Sequence, residues 1–357
     1  MTADILSVLP LPDVSELLIQ RKVSPVELTQ SCLDRIESVN DQVNALVFVD
    51  PEAAISEATE AQERYSRQRP LGLLDGLPIV VKDNIAVSGW PMTNGLATQR
   101  ISNADADIVI NLRRQGVVML GSANMDEGAL GAEGVNSHHG LIMNPNYPDL
   151  VTGGSSSGSA AAVAAGLCCA ALGTDTLGSV RLPAAYCGLV GFKPSHGRLS
   201  NTGIISLHPE LDAVGPITQS VADSIHLMTQ LEGWTVSVEQ FPLDRLRWGV
   251  PDSFNRAELD LTVQQSFESA CRVLSDLTRP QLVTLPEWDP GVLRRSGLLL
   301  AENHAASHWT DPVNAYSVRL RSMLRYGREA TTGQLANAQR CISNTKSDLV
   351  DHLKKLT

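Results

Sequence analysis

Two hydroxyl-rich motifs hold the residues best suited to chemistry: Gly153-Gly154-Ser155-Ser156-Ser157-Gly158-Ser159 and Gly173-Thr174-Asp175-Thr176-Leu177-Gly178-Ser179. A flexible linker would be flanked by polar sequence, whereas the first motif runs straight into the apolar stretch Ala160 to Leu172. Glycines at a helix N-terminus also suit a phosphate, but a P-loop needs a Lys followed by Ser or Thr, and this loop contains no lysine. In the second motif, glycine before Ser179 permits a tight turn. Such a turn aims successive backbone N–H groups at one point, the geometry of an oxyanion hole. The pattern therefore suits a serine nucleophile with its own anion site.

A serine hydroxyl is a poor nucleophile near neutral pH and needs a base. Of eight histidines, His138 and His139 lie in an Asn/Gly stretch and His196 follows Lys193-Pro194-Ser195. His208, His226, His304, His308 and His352 fall in loops or on helical faces, and none has the setting of a triad base. Lys82 ends the apolar run Gly76-Leu77-Pro78-Ile79-Val80-Val81 and is the better candidate. It reads either as a snorkelling or ion-paired lysine beside Asp83, or as a buried amine whose pKa is lowered until it can accept a proton. Lowering it from ~10.4 to roughly 7.5 takes about 4 kcal/mol, within reach of burial.

The elements that must position these residues follow from local pattern. Ser24-Pro25-Val26-Glu27 is a capping box with proline at the first helical position, and its helix is expected to end near Asn40. Leu46 to Val49 reads as a strand and Pro51 to Gln68 as a helix. Gly76 to Asn84 reads as a buried strand delivering Lys82. Further along, a helix is expected over Asp105–Gln115, a strand over Val117–Gly121, a helix of small residues over Ser159–Cys169, and a helix from Ser220 to about Leu231. After Gly233 a strand-like entry, Leu246 to Val250, leads into mostly helical pattern up to Leu356. Alternating strands and helices predict an α/β fold. The expectation is one domain over 1–357, with a core at 10–232, a helical subregion at 246–357, and a seam near 233–245.

Composition bounds the remaining classes. With 43% hydrophobic and 19% charged residues over 357 positions, the chain reads as an ordinary soluble globular protein. A net charge of −11 argues against a nucleic-acid binder. Cys32, Cys168, Cys169, Cys187, Cys271 and Cys341 lack C-x-x-C spacing and read as free thiols rather than a metal site or disulfide framework. The N-terminus shows no signal-peptide pattern, and the longest apolar run is too short and Ala-rich to span a bilayer. A cytoplasmic location is expected.

The combined motifs closely resemble the amidase signature family. The resemblance rests on Lys82, then Ser155, then Ser179 24 positions later within Gly-Ser-Val-Arg-Leu-Pro-Ala-Ala-Tyr-Cys-Gly. The phrases Gly121-Ser122-Ala123-Asn124-Met125-Asp126-Glu127 and Val190-Gly191-Phe192-Lys193-Pro194 add to it, and it covers about residues 10 to 232 before weakening. It implies a mixed sheet surrounded by helices and a Ser–cisSer–Lys triad. Ser179 would be the acyl-forming nucleophile, Ser155 on a cis peptide the proton relay, and Lys82 the base. The N–H groups of Thr176, Leu177, Gly178 and Ser179 would hold the oxyanion. The implied function is hydrolysis of a small carboxamide without cofactor or metal, with no nucleic-acid or membrane partner.

Two departures from the family pattern stand out. Leu177 occupies a position where many members carry glycine, which narrows or alters the turn while keeping its backbone donor. The chain ends at Thr357, where typical members continue, and this predicts a truncated C-terminal part with a strand edge that a partner or a homodimer mate would cover. Other readings are an inactive amidase-like binding or assembly protein, and the A subunit of a tRNA-dependent amidotransferase. The stretch after Gly233 does not resemble that subunit's continuation.

Overall fold

The computed structural model describes residues 3–232, 242, 248, 259–278 and 289–354. The expected strand at 246–250, apart from Trp248, and nearly all of the expected seam at 233–245 lie outside the described residues. The chain divides into two compact units, one of residues 1–235 with 304–325 and the other of 236–303 with 326–357.

The first unit is built on a six-stranded mixed sheet. Its strands are β1 (Leu46–Val49), β2 (Pro78–Lys82), β3 (Val118–Ala123), β4 (Ala170–Asp175), β5 (Val190–Gly191) and β6 (Ala213–Thr218), in the order β1-β3-β2-β4-β6-β5. The three central strands β3, β2 and β4 are parallel. The outer pairings β1–β3, β4–β6 and β6–β5 are antiparallel. Parallel strands are covered on both faces and so read as continuous apolar runs. That matches β2 and β3, which are buried along their whole length.

Helices α1 (Leu11–Ile19), α2 (Pro25–Val43), α3 (Pro51–Ser66), α4 (Asp107–Arg114), α5 (Ser157–Ala164), α6 (Arg181–Tyr186) and α7 (Val221–Glu232) surround this sheet. The capping box forms as expected: Glu27 N–H donates to Ser24 Oγ at 3.1 Å and Ser24 N–H to Glu27 Oε2 at 2.8 Å. The helix runs three residues past Asn40 because Asn44 takes the left-handed conformation that ends it. Ile79, Val81, Leu172 and Val214 belong to one apolar core with α1, α4 and α7. Val80, Leu120 and Ala171 belong to the other, with α2, α3 and α5. Residues alternate between the two cores along β2, as a pleated strand requires.

Helix α5 decides the placement of the first motif. Its residues Ser157 to Val163 are all buried, and every one is small. A Cβ on Gly158 would lie 2.3 Å from the Ala45 carbonyl oxygen and 2.4 Å from that of Asn124, so the helix sits directly on the sheet's backbone. It stops at Ala164 rather than at Cys169. Gly166 adopts φ +71 and its N–H bonds the Val163 carbonyl, a helix stop that leaves the apolar residues beyond free to form β4.

Beyond the first unit's core the described residues are helical, as the pattern predicts: α8 (Leu261–Leu277), α9 (Pro290–His308), α10 (Val318–Glu329) and α11 (Thr332–Lys354). No helix among the described residues is long and apolar enough to cross a membrane.

Candidate active site

The carboxyl ends of the parallel strands converge, and polar residues collect there as in other open α/β sheets. Lys82 is the last residue of β2. Val81 lies opposite Leu172 of β4, so the lysine emerges beside the end of that strand. It is fully buried. Its Nζ donates to Ser155 Oγ at 2.8 Å and to Thr174 Oγ1 at 2.9 Å. Asn84 Nδ2 donates to the same threonine oxygen at 3.1 Å.

Lys82 makes no ion pair among the described residues. Asp83, the partner an ion-paired lysine would use, turns instead to the Thr93 hydroxyl and N–H and to the Gly95 N–H. Burial pushes the lysine pKa down from 10.5 to about 7, against the pull of the Asp126, Asp212 and Asp175 carboxylates. An amine held so, between two hydroxyls, exchanges protons readily near neutrality.

Ser155 arrives from the loop before α5, on a cis Gly154–Ser155 peptide. Its carbonyl accepts from Asp126 N–H at 3.2 Å. Asp126 itself is fixed by the N–H groups of Gly134 and Val135, each at 3.2 Å, and by Ser157 Oγ at 3.0 Å. A Cβ on Gly154 would fall 1.8 Å from Asp126 Oδ2, so only glycine fits between the serine and that carboxylate. Gly154→Ala is accordingly expected to destabilise the protein by about 2 kcal/mol through overpacking, read as a lower urea midpoint with an unchanged slope.

Ser179 follows β4 in a turn that Asp175 organises. The Asp175 carboxylate accepts from Gly178 N–H (2.8 Å), Val180 N–H (3.2 Å), Arg181 Nε (2.9 Å) and Arg181 Nη2 (2.9 Å). Burial opposes its ionisation, but these bonds and the Arg181 charge prevail and hold its carboxyl below the usual range. Ser156 N–H donates to the Ser179 carbonyl at 3.2 Å, and Ser156 Oγ accepts from Thr174 N–H at 3.3 Å. These bonds seat the Ser179 turn against the residue that follows Ser155.

The four expected oxyanion donors are therefore not equivalent. Gly178 N–H is already spent on Asp175, because a buried carboxylate at the end of β4 captures the nearest donors of its own turn. The N–H groups of Thr176, Leu177 and Ser179 are not drawn to that carboxylate. The Leu177 side chain is 44% exposed and Ser179 is half-buried, so the outer side of the turn faces solvent.

Sequence reasoning alone missed Thr174, Asn84, Asp175 and Arg181 as parts of this site. The available signal was a set of polar residues at the ends of buried strands, where their desolvation needs a reason. Three of the histidines have side-chain partners elsewhere: His138 bonds Glu127, His139 bonds Thr93 Oγ1 and the Leu96 carbonyl, and His226 bonds Ser15. All six cysteines are free. The described residues contain no group of His, Cys, Asp and Glu able to hold a metal ion.

This geometry coincides with a family match. The amidase family model covers residues 27–339, and the chain belongs to that family. Among relatives, it is 37% identical over 284 residues to the A subunit of the glutamyl-tRNA(Gln) amidotransferase of Salinibacter ruber, covering 74% of this chain and 55% of that one. It is 38% identical over 290 residues to the corresponding protein of Desulforapulum autotrophicum, covering 75% and 59%. The chain thus spans a little over half the length of these curated relatives. A crystal structure of an amidase superposes with a TM-score of 0.87 at 33% identity, over 97% of this chain and 80% of that one. The peptide amidase of Stenotrophomonas maltophilia gives 0.76 at 26% identity, over 92% and 77%.

Proposed function

We propose that this protein is an amidohydrolase that cleaves a carboxamide through an acyl-enzyme on Ser179. The observation that carries the reading is the buried contact between Lys82 Nζ and Ser155 Oγ. With Lys82 neutral, its lone pair takes the Ser155 proton while Ser155 Oγ takes that of Ser179. The Ser179 oxygen bonds to the amide carbon and the carbonyl oxygen becomes an oxyanion, held by the N–H groups of Thr176, Leu177 and Ser179. The proton then returns from Lys82 through Ser155 to the leaving nitrogen, the C–N bond breaks, and ammonia or an amine departs. Water repeats the relay on the ester and releases the acid.

Thr174 and Asn84 assist by holding the amine. Thr174 Oγ1 accepts one Lys82 N–H and so keeps the amine beside Ser155, where its single lone pair can turn to the serine hydroxyl once the lysine is neutral. Mass spectrometry after treatment with a fluorophosphonate tests the reading: a single adduct on Ser179 is expected. A folded protein that takes no adduct would instead be an amidase-like binding or assembly protein.

The relatives favour one alternative use of the same chemistry, because those at 37–38% identity are named as amidotransferase subunits. In that role the chain would pass the released nitrogen on inside an assembly. A screen of acetamide, benzamide, p-nitroacetanilide and L-glutamine with the isolated chain separates the two. Turnover without added subunits supports the hydrolase, and turnover of glutamine only on their addition supports the amidotransferase.

A further inference from the structure

One side of the oxyanion turn is open to solvent. Gly178 adopts φ +131 and nothing lies within 4 Å of where its Cβ would be. Leu177 before it is 44% exposed. Oxyanion donors stabilise a transition state only if they are already aimed when charge develops. Asp175 fixes one side of this turn, through Gly178 and Val180, and something else must fix the Thr176–Leu177 side.

Asp212 is placed to do so. It immediately precedes β6, and Ala213 pairs with Asp175, so Asp212 meets the first residue beyond β4. Its side chain is buried. Thr176 Oγ1 donates to Asp212 Oδ1 at 2.6 Å. The other oxygen, Oδ2, accepts from Ser206 Oγ at 2.8 Å, Leu207 N–H at 2.9 Å and His208 N–H at 3.1 Å. Its backbone is held as well: Asp212 N–H donates to the His208 carbonyl at 2.9 Å, and its own carbonyl accepts from Asn201 Nδ2 at 2.8 Å. The carboxylate is thus locked into the 206–212 turn, with one oxygen left for the threonine.

We infer that Asp212 is a positioning residue for the reaction, gripping Thr176 by its hydroxyl so that the N–H groups of Thr176 and Leu177 stay aimed at the acyl oxygen. The inference rests on the amidohydrolase reading above. Its rival is that Asp212 only closes its own turn. Thr176→Val distinguishes the two, because it deletes the one bond to the oxyanion turn and leaves the three bonds to Oδ2 intact.

The probe is the rate of Ser179 phosphonylation by a fluorophosphonate, whose phosphonyl oxygen occupies the oxyanion position. For Thr176→Val the maximal rate is expected to fall about tenfold or more, while half-saturation shifts less than about twofold. Thr176→Ser, which keeps the hydroxyl, is expected to regain most of the rate that Thr176→Val loses. Asp212→Ala combined with Thr176→Val is expected to be no slower than Asp212→Ala alone, since no carboxylate oxygen is then left for the threonine hydroxyl to grip. A wild-type rate in Thr176→Val, or equal impairment of Thr176→Ser, would overturn the inference while the hydrolase reading stands. Failure of wild type itself to label would remove the hydrolase reading and this inference together.

Discussion

Ser179→Ala is expected to lower kcat/KM on any amide the wild type turns over by at least ~10⁴-fold, and to abolish fluorophosphonate uptake. The size follows from what is lost. Without Oγ there is no acyl-enzyme, so the only route left is direct attack of water on a carbonyl polarised by the Thr176, Leu177 and Ser179 N–H groups. Those donors belong to the backbone and survive the change, which is why the residual rate should still exceed the uncatalysed one. The fold should be indifferent: Ser179 is half-buried, and its carbonyl keeps its bond from Ser156 N–H at 3.2 Å. Melting temperatures of the two proteins should therefore agree. Activity of the variant within tenfold of wild type would place the nucleophile elsewhere.

Ser155→Ala probes the middle of the same chain and should cost less than Ser179→Ala. A water molecule in the space of the lost hydroxyl can carry part of the proton traffic between Lys82 and Ser179. Measured beside Ser179→Ala, this ordering separates a relay from a second nucleophile.

Much of the sheet was legible because its strands carry their own punctuation. Leu46–Val49 was read to the residue, and the run from Gly76 placed Lys82 at a strand end, where it lies. Strand β6 escaped because Ala213-Val214-Gly215-Pro216-Ile217-Thr218 contains the dipeptide that usually marks a turn. Its glycine serves another purpose: a Cβ there would fall 2.2 Å from the Phe192 carbonyl oxygen, so it permits close approach of the neighbouring chain. In α5 the apolar run alone could not show where helix gave way to strand, since both would be buried.

The site was legible in part for a different reason. Lys82 and Ser155 touch across 73 positions of chain, and no local pattern reports such a meeting. A resemblance to a family supplied it. What the resemblance did not supply was the competition around the turn, where Asp175 takes the Gly178 donor that was expected to face substrate. That competition is a matter of distance within one turn, and sequence gives residue types without distances.

Lys82→Met is the second substitution with a large expected effect, and it separates activity from stability. As a base the lysine must be neutral, and burial brings its pKa to about 7. Wild-type kcat/KM should therefore rise with pH through about 7 and level off above it. The variant should lose about 10⁴-fold, the upper range for a positioned proton carrier, and show no such rise. Lys82→Arg should fare no better, because a guanidinium stays charged in any protein. The substitution should affect stability in the opposite sense, making the variant the more stable protein near neutrality. Between pH 7 and 10.5 the unfolded lysine holds a proton that the folded one has released, so wild-type stability increases with pH across that window. The full span corresponds to a differential on the order of 5 kcal/mol, and it is lost as pH falls to 7. Buried Cys168 and Cys187, pushed up by desolvation, oppose the trend once unfolded thiols begin to ionise. They are common to both proteins, so the difference in urea midpoints between wild type and Lys82→Met isolates the lysine. That difference should grow in favour of the variant as pH is lowered from 10 to 7 and stay constant below. A difference independent of pH would mean that Lys82 carries its charge at neutrality, and the base would have to be sought elsewhere.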